Sequence, residues 1–238
     1  MTNLYNDILI AKKQSVKLLA ILIDPDKVDM LTINVLTNKI NQSPANYVFV
    51  GGSTYSGNQF DEIIVLLKTK INVPIIIFPG HYTQISSHAD GLLFLNLISG
   101  RNPDYLIEQQ IKSVPLIKKT NLETIATAYI LVDSGTITAV ARVSQTSPMP
   151  VSNPQHIVQT AQAGELMGNK LIYLEAGSGA NNAIPQAIIN QVSSNVEIPL
   201  IIGGGIRSLA AIKNAHNSGA DLVVIGTAFE KNNNFFEK

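Results

Sequence analysis

The sequence predicts a (β/α)8 barrel, and three observations lead there. At 238 residues and 25.7 kDa the chain suits one α/β barrel. Eight short apolar runs are nearly continuous rather than alternating, as in parallel strands buried on both faces. Amphipathic stretches of helical length fall between most of them. A doubly wound open sheet is the alternative arrangement of the same alternation. One domain is expected over residues 1–238.

In chain order the first strand is KLLAILID (17–24), and a helix over 28–41 follows. YVFVGG (47–52) precedes a helix over 59–70, and VPIIIFPG (73–80) is the third strand. Only HYTQISSHAD (81–90) then separates it from GLLFLNLI (91–98), room for one helical turn and no packing helix. A helix over 104–112 leads to TIATAYILV (124–132). Next, DSGTITAVARV (133–143) reads as a hairpin-like extension, followed by a loop rich in Pro and Ser over 144–154. The helix 154–168, strand KLIYLEAG (170–177), helix 184–193, strand PLIIGGGI (199–206), helix 208–217 and strand LVVIGTA (222–228) complete the pattern.

Composition excludes several functions. Hydrophobic residues make up 45% and charged residues 14%, against about 25% charged in average soluble proteins. This is a core-rich chain and not a disordered one. Lys+Arg and Asp+Glu are both 17, and no basic run occurs, so nucleic acid is not an expected partner. Cysteine is absent, which excludes disulfides, thiolate metal sites and a cysteine nucleophile. The opening MTNLYNDILIAKKQ has Asn and Asp where a secretory leader needs basic residues. No apolar stretch approaches the roughly 20 residues of a membrane span. A cytoplasmic protein is the expectation.

In such barrels the strands' C-terminal ends carry the active site, and phosphate commonly binds after strands seven and eight. Here strand seven ends in Gly203-Gly204-Gly205, followed by Ile206-Arg207-Ser208, and strand eight in Gly226-Thr227, each at a helix start. Strand six adds Gly177-Ser178-Gly179-Ala180. Glycines let backbone amides approach an anion, and helix N-termini add partial positive charge. One such loop reads as a tight turn; three at consecutive strand ends argue for a phosphate-bearing ligand.

Acidic residues stand at the same rim. Asp24 ends strand one and is a candidate metal ligand, acid/base group or cap; Asp26 is a candidate cap of the helix from Val28. Strand two ends in Gly51-Gly52-Ser53-Thr54, and a hydroxyl beside a carboxylate suits Mg²⁺. On strand six Leu171, Tyr173 and Glu175 share a face. A carboxylate in so apolar a strand needs a partner, a raised pKa or water, so Glu175 is a candidate hydroxyl-binding group or base, or half of a structural salt bridge. Arg101 is a candidate diphosphate clamp, and His81 reads as a polar loop residue. His88, His156 and His216 look like surface residues, and without a close His pair no zinc site is expected.

Together the motifs resemble the geranylgeranylglyceryl phosphate synthases and related prenylglyceryl phosphate synthases. The resemblance rests on ILIDPDK (21–27), FVGGST (49–54), IIIFPG (75–80), LLFLNLISGRNP (92–103), AGELMGNKLIYLEAGSGA (163–180), IIGGGIRS (201–208) and VVIGTAFE (223–230). It implies a TIM barrel whose third helix is an irregular segment. It implies transfer of a polyprenyl group from its diphosphate to sn-glycerol 1-phosphate, with an ether bond formed, diphosphate released and Mg²⁺ as cofactor. Asp24 and Ser53 would hold Mg²⁺. The glycerol phosphate would lie against Tyr173, Leu174, Glu175, Ala176, Gly177, Ser178, Gly179, Gly204, Gly205, Gly226 and Thr227. Glu175 and Tyr173 are the expected catalytic pair, with Glu175 orienting or deprotonating the attacking hydroxyl.

Members favouring a twenty-carbon donor often carry Trp after the NP that follows strand four, where this chain has Tyr105. Geranylgeranyl diphosphate remains the expected donor, with a longer polyprenyl diphosphate as alternative. A sugar-phosphate isomerase or aldolase is a rival, though it would usually need a strand-end Lys, and Lys27 stands beyond Pro25. A non-catalytic phosphate-binding barrel is another, with no use for Asp24 and Glu175 together. A homo-oligomer is expected, its interface marked by exposed apolar patches.

Overall fold

A computed structural model describes residues 3–53, 59–232 and 234–237. Thr54 of the FVGGST motif lies outside them. Parallel strands close into a barrel in sequence order: β1 (Leu18–Ile23), β2 (Tyr47–Val50), β3 (Ile75–Ile77), β4 (Gly91–Leu97), β5 (Glu123–Leu131), β6 (Leu171–Glu175), β7 (Leu200–Gly203) and β8 (Leu222–Ile225). The ring closes where Leu18–Ile21 of β1 pair with Leu222–Ile225 of β8. The open-sheet alternative is thereby excluded.

Strand periodicity sorts side chains into two cores. Inward residues such as Phe49, Ile76, Leu93, Tyr129, Leu171, Tyr173 and Ile201 fill the barrel. Outward residues such as Val48, Ile75, Ile130, Ile172, Leu174 and Ile202 pack under the helices. Those helices are α2 (Ile33–Asn41), α3 (Phe60–Lys68), α4 (Gln109–Ile117), α6 (Pro154–Leu166), α7 (Gln186–Ser193) and α8 (Leu209–Asn217). As expected, no helix lies between β3 and β4. In its place Gln84 is buried, accepting from the Gly80 amide and donating to Gly52 O. That pins the Phe78-Pro79-Gly80 turn against the end of β2.

Several elements differ from expectation. An N-terminal helix, α1 (Leu4–Lys13), inserts Leu4, Ile8 and Ala11 into the base of the barrel. The 28–41 helix begins only at Ile33, because the Asp29 carboxylate accepts from the Leu31 amide and the Thr32 hydroxyl and holds a turn there. The 104–112 helix instead reaches Ile117, opening with a π-helical turn over Asp104–Glu108. The hairpin-like extension is absent: Ala139–Ser144 form α5, capped by Thr138, whose hydroxyl accepts from the Ala141 amide. After β8 a short helix, α9 (Thr227–Lys231), borders the barrel mouth. No helix among the described residues is long and apolar enough to cross a membrane.

Candidate active site

A cavity of about 640 Å³ opens at the C-terminal ends of the strands. Its lining places Tyr173, Glu175, Gly177, Ser178, Gly179, Gly204, Gly205, Gly226 and Thr227 around one chamber with Asp24 and Ser53. The side chains of Leu174 and Ala176 do not join them. Both are buried on the outward face of the barrel, and the Ala176 amide is taken by Gly203 O. Strand alternation alone separates them from their neighbours Tyr173 and Glu175.

The three glycine loops present free donors. The Gly177 amide is engaged by Glu175 and that of Ala180 by Gly177 O. Among the described residues no hydrogen bond outside the regular elements takes the amides of Ser178, Gly179, Gly204, Gly205 or Gly226. Thr227 opens α9, so its amide lacks an intrahelical partner as well. Unpaired amides converging on one chamber suit an anion.

Glu175 stands between this cluster and the rest of the cavity. It is 5% exposed, and its Oε1 accepts from the Gly177 amide at 2.6 Å. Burial pushes its pKa up to about 7, against the opposing pull of the Gly177 amide and the Tyr173 hydroxyl. Tyr173 is fully buried, and its hydroxyl has no well-formed hydrogen bond among the described residues. Burial, then the Glu175 charge, raises its own pKa well above the usual phenol value. A Cβ at Gly203 would collide with both Tyr173 Oη and Glu175 Oε2. Gly203 is therefore required for packing the pair, a function its place in a GGG run did not reveal.

The ring of Tyr173 is held by aromatics that the sequence left unassigned. Phe78 stacks on it at 5.2 Å, and Tyr129 lies at 5.3 Å. Register explains the second contact, because Tyr129 of β5 is paired directly with Tyr173 of β6. Both flanking residues line the cavity. Beyond them the wall turns apolar, through Ile85, Phe94, Leu95, Leu97, Val140 and Val143, with Tyr105 of the π-helical turn at its edge.

Asp24 caps a single 3-10 turn, Pro25–Lys27, its Oδ1 accepting from the Asp26 amide at 3.2 Å, and Asp26 caps no helix among the described residues. Asp24 still faces the cavity, with Gly52 packed so closely that a Cβ there would lie 3.0 Å from Asp24 Oδ1. One carboxylate and the Ser53 hydroxyl form a hard-oxygen donor set, which fits an Mg²⁺ that keeps water and substrate oxygens as its other ligands. Among the described residues no three His, Cys, Asp or Glu cluster to enclose a metal. Lys27 Nζ lies 3.3 Å from Asp24 Oδ2 and 3.0 Å from Glu230 Oε2. Burial lowers the Lys27 pKa, but the two carboxylates outweigh that and raise it, so Lys27 is an ammonium.

Arg101 is not brought to the site. It is exposed, absent from the cavity wall, and donates to Ile98 O and Gly100 O of its own turn. His81 lies at the mouth as an exposed loop residue, its Nδ1 2.9 Å from the Thr83 hydroxyl. His88 and His156 are exposed, whereas His216 is half-buried with Nε2 against Leu18 O.

Fold and site define a TIM-barrel protein with a rim of free backbone amides, a buried carboxylate of raised pKa and an apolar trough in one cavity. The chain belongs to the PcrB family, whose pattern it matches over residues 10–238. It is 56% identical to the geranylgeranylglyceryl phosphate synthase of Flavobacterium johnsoniae, covering 100% of this chain and 98% of that one. Its identity to the enzyme of the same name from Pyrococcus furiosus is 36%, over 92% of this chain and 87% of that one. Among solved structures, (S)-3-O-geranylgeranylglyceryl phosphate synthase from Thermoplasma acidophilum, in complex with its substrate sn-glycerol-1-phosphate, superposes with a TM-score of 0.93. Sequence identity there is 30%, with 100% of this chain and 95% of that one covered.

Proposed function

We propose that the protein joins sn-glycerol 1-phosphate to geranylgeranyl diphosphate through an ether bond and releases diphosphate. The names of its relatives support this reading, and one observation carries it. A single cavity has free amides at one side, an apolar wall at the other and Glu175 between them. A polar acceptor with a phosphate and a hydroxyl fits the first side, and a prenyl chain fits the second.

The amides of the three glycine loops would hold the acceptor phosphate and direct its free hydroxyl to Glu175. Glu175 would take the hydroxyl proton as the oxygen attacks the allylic carbon, and a pKa near 7 suits a base at neutral pH. The Tyr173 hydroxyl, beside Glu175, would orient the same oxygen. The new C–O bond forms as the carbon–diphosphate bond breaks, and the diphosphate departs with the bonding pair. Asp24 and Ser53 would hold Mg²⁺, which when bound offsets charge on the leaving diphosphate. Tyr105 at the groove edge would bear on donor length.

The test is incubation with sn-glycerol 1-phosphate, Mg²⁺ and prenyl diphosphates of increasing length, followed by mass analysis of extracted lipid. The expected product is the twenty-carbon ether, lost with chelator and in Asp24→Asn. Absence of any ether product overturns the reading, and a product only from longer donors corrects the chain length.

A further inference from the structure

Resting on that reading, the donor's diphosphate is an anion that a cationic side chain can bind beside Mg²⁺, and Arg101 is turned away from the cavity. The cationic side chains on the cavity wall include Lys27, Arg207 and Lys231. Arg207 reaches the cavity beside the glycine loops and spends one of its five donors on the carbonyl of Ala180. Lys231 is exposed at the end of α9 and forms no ion pair among the described residues. Lys27 differs from both, because it is held in place and held beside Asp24.

The holding is built from both sides. Lys27 closes the turn that Pro25 begins, and Pro25 is buried. Glu230 sits on α9, and α9 is fastened from behind by Lys39, which donates to Phe229 O and lies 4.0 Å over the Phe229 ring. Glu230 is only 19% exposed, whereas Lys27 is 50% exposed and opens to the chamber. An ammonium carries three N–H donors. Two face Asp24 and Glu230, which leaves one for a further anion. Two carboxylates against one ammonium leave the trio at a net charge of −1. The negative excess suits a site that must also take a cation with its anionic substrate.

We infer that Lys27 binds the diphosphate of the prenyl donor and that Glu230 is its positioning residue, keeping the ammonium at the chamber when Asp24 is engaged by other ligands. The idea differs in sign from simple charge repulsion. Removing the Glu230 charge should tighten binding of an anion if only the local field matters. If Glu230 positions Lys27, its removal should weaken that binding.

The experiment is calorimetric titration with inorganic pyrophosphate in the presence of Mg²⁺, using the full chain, with sn-glycerol 1-phosphate as the control ligand. Lys27→Met should weaken pyrophosphate by at least about tenfold, the scale of one charge-assisted hydrogen bond, and leave the glycerol phosphate within about twofold. Lys27→Arg should restore most of the affinity. Glu230→Gln should weaken pyrophosphate by about threefold to fivefold in the parent and have no further effect in a Lys27→Met background. Steady-state kinetics should show the Lys27→Met defect as a raised donor KM. Unchanged pyrophosphate affinity in Lys27→Met, or tighter binding in Glu230→Gln, would overturn the inference. A lowered melting temperature as the sole change would mean a structural clamp only, and would overturn it too. If the parent forms no ether product, it is the proposed function that fails; product formation with unaltered pyrophosphate binding in the variants removes only the role of Lys27.

Discussion

The two ends of the barrel use the same kinds of residue to opposite effect. At the base, Glu123 accepts from the amides of Leu4 and Tyr5 at 2.6 and 2.9 Å, capping α1 from outside the helix. Asp221, also at the base, accepts from the Leu200 amide and from Lys12, both at 2.9 Å. Both carboxylates tie α1 or its neighbours to the barrel, and their oxygens meet N–H donors of the protein itself. At the mouth, Glu175 is held by one amide, Tyr173 has no well-formed hydrogen bond, and glycine-loop amides stand open. Burial without satisfaction costs stability. A fold that completes its polar contacts at one end and leaves them incomplete at the other has reserved the second for a ligand.

The largest effect that would break this comparison is at Glu175. Glu175→Gln should lower kcat by about 10²-fold, the scale of a general base. In the parent, kcat/KM should fall about tenfold per pH unit below about 7, as Glu175 becomes protonated; the variant should lose that limb. Stability should move the other way. The folded pKa is raised, so Glu175 favours the folded state fully below its unfolded value, and that contribution is lost as pH rises through about 7. At about 1.4 kcal/mol per unit, the ionised carboxylate costs roughly 3 kcal/mol at pH 8. Glu175→Gln should therefore unfold at higher urea than the parent at pH 8 and equally at pH 4. A folded variant with parental kinetics and parental stability at both pH values would show that Glu175 is ordinary structure.

Asp221→Asn probes the opposite end. It keeps an oxygen for the Leu200 amide but removes the charge that Lys12 faces beneath the barrel. Loss of about 2 kcal/mol is expected, since a largely buried pair loses one charge. Urea unfolding should show the loss, while kcat and both KM values at 25 °C stay within about twofold. A kinetic defect comparable to that of Glu175→Gln would mean that base and mouth are not separable.

Sequence patterning went far on the mouth and less far on the base. Strand runs, the short 81–90 connection and the glycine loops are local signals, and the closed barrel carries all of them. Asp24 and Glu175 were legible as rim residues because each breaks an apolar run at a strand's C-terminal end, and Tyr173 because it shares a strand face with Glu175. What the sequence withheld depends on register and on distant partners. Tyr129 meets Tyr173 only through β5–β6 pairing, and Lys27 meets Glu230 across 203 residues of chain. Gly203 looked like one more loop glycine, although the buried pair it accommodates stands on the neighbouring strand. Leu4, Ile8 and Ala11 do share a helical face, but so short a pattern says nothing about what it covers.

The smallest expected effect sharpens the comparison most, because it alters a carboxylate that does no chemistry. Glu123 meets the first amides of α1 with both of its oxygens, and the helix N-terminus favours negative charge there. Glu123→Gln keeps one acceptor oxygen and turns an NH₂ toward the other amide. The cost should be about 1 kcal/mol, one hydrogen bond and part of a dipole interaction. It is limited because the Asn3 side chain still accepts from the Asn6 amide at 3.0 Å and keeps its own cap on the helix. A second readout comes from Tyr47, whose pKa is pushed up to about 12 by burial first and then by the charges of Asp7 and Glu123. With Glu123 neutral, that value should fall but stay above the usual phenol range, since burial persists. Ultraviolet titration of the tyrosines against a Tyr47→Phe control measures it, and urea unfolding measures the stability. A Tyr47 pKa that does not move while stability falls would show that Glu123 acts through its hydrogen bonds alone. A fall in turnover at 25 °C would show that α1 does more than close the base.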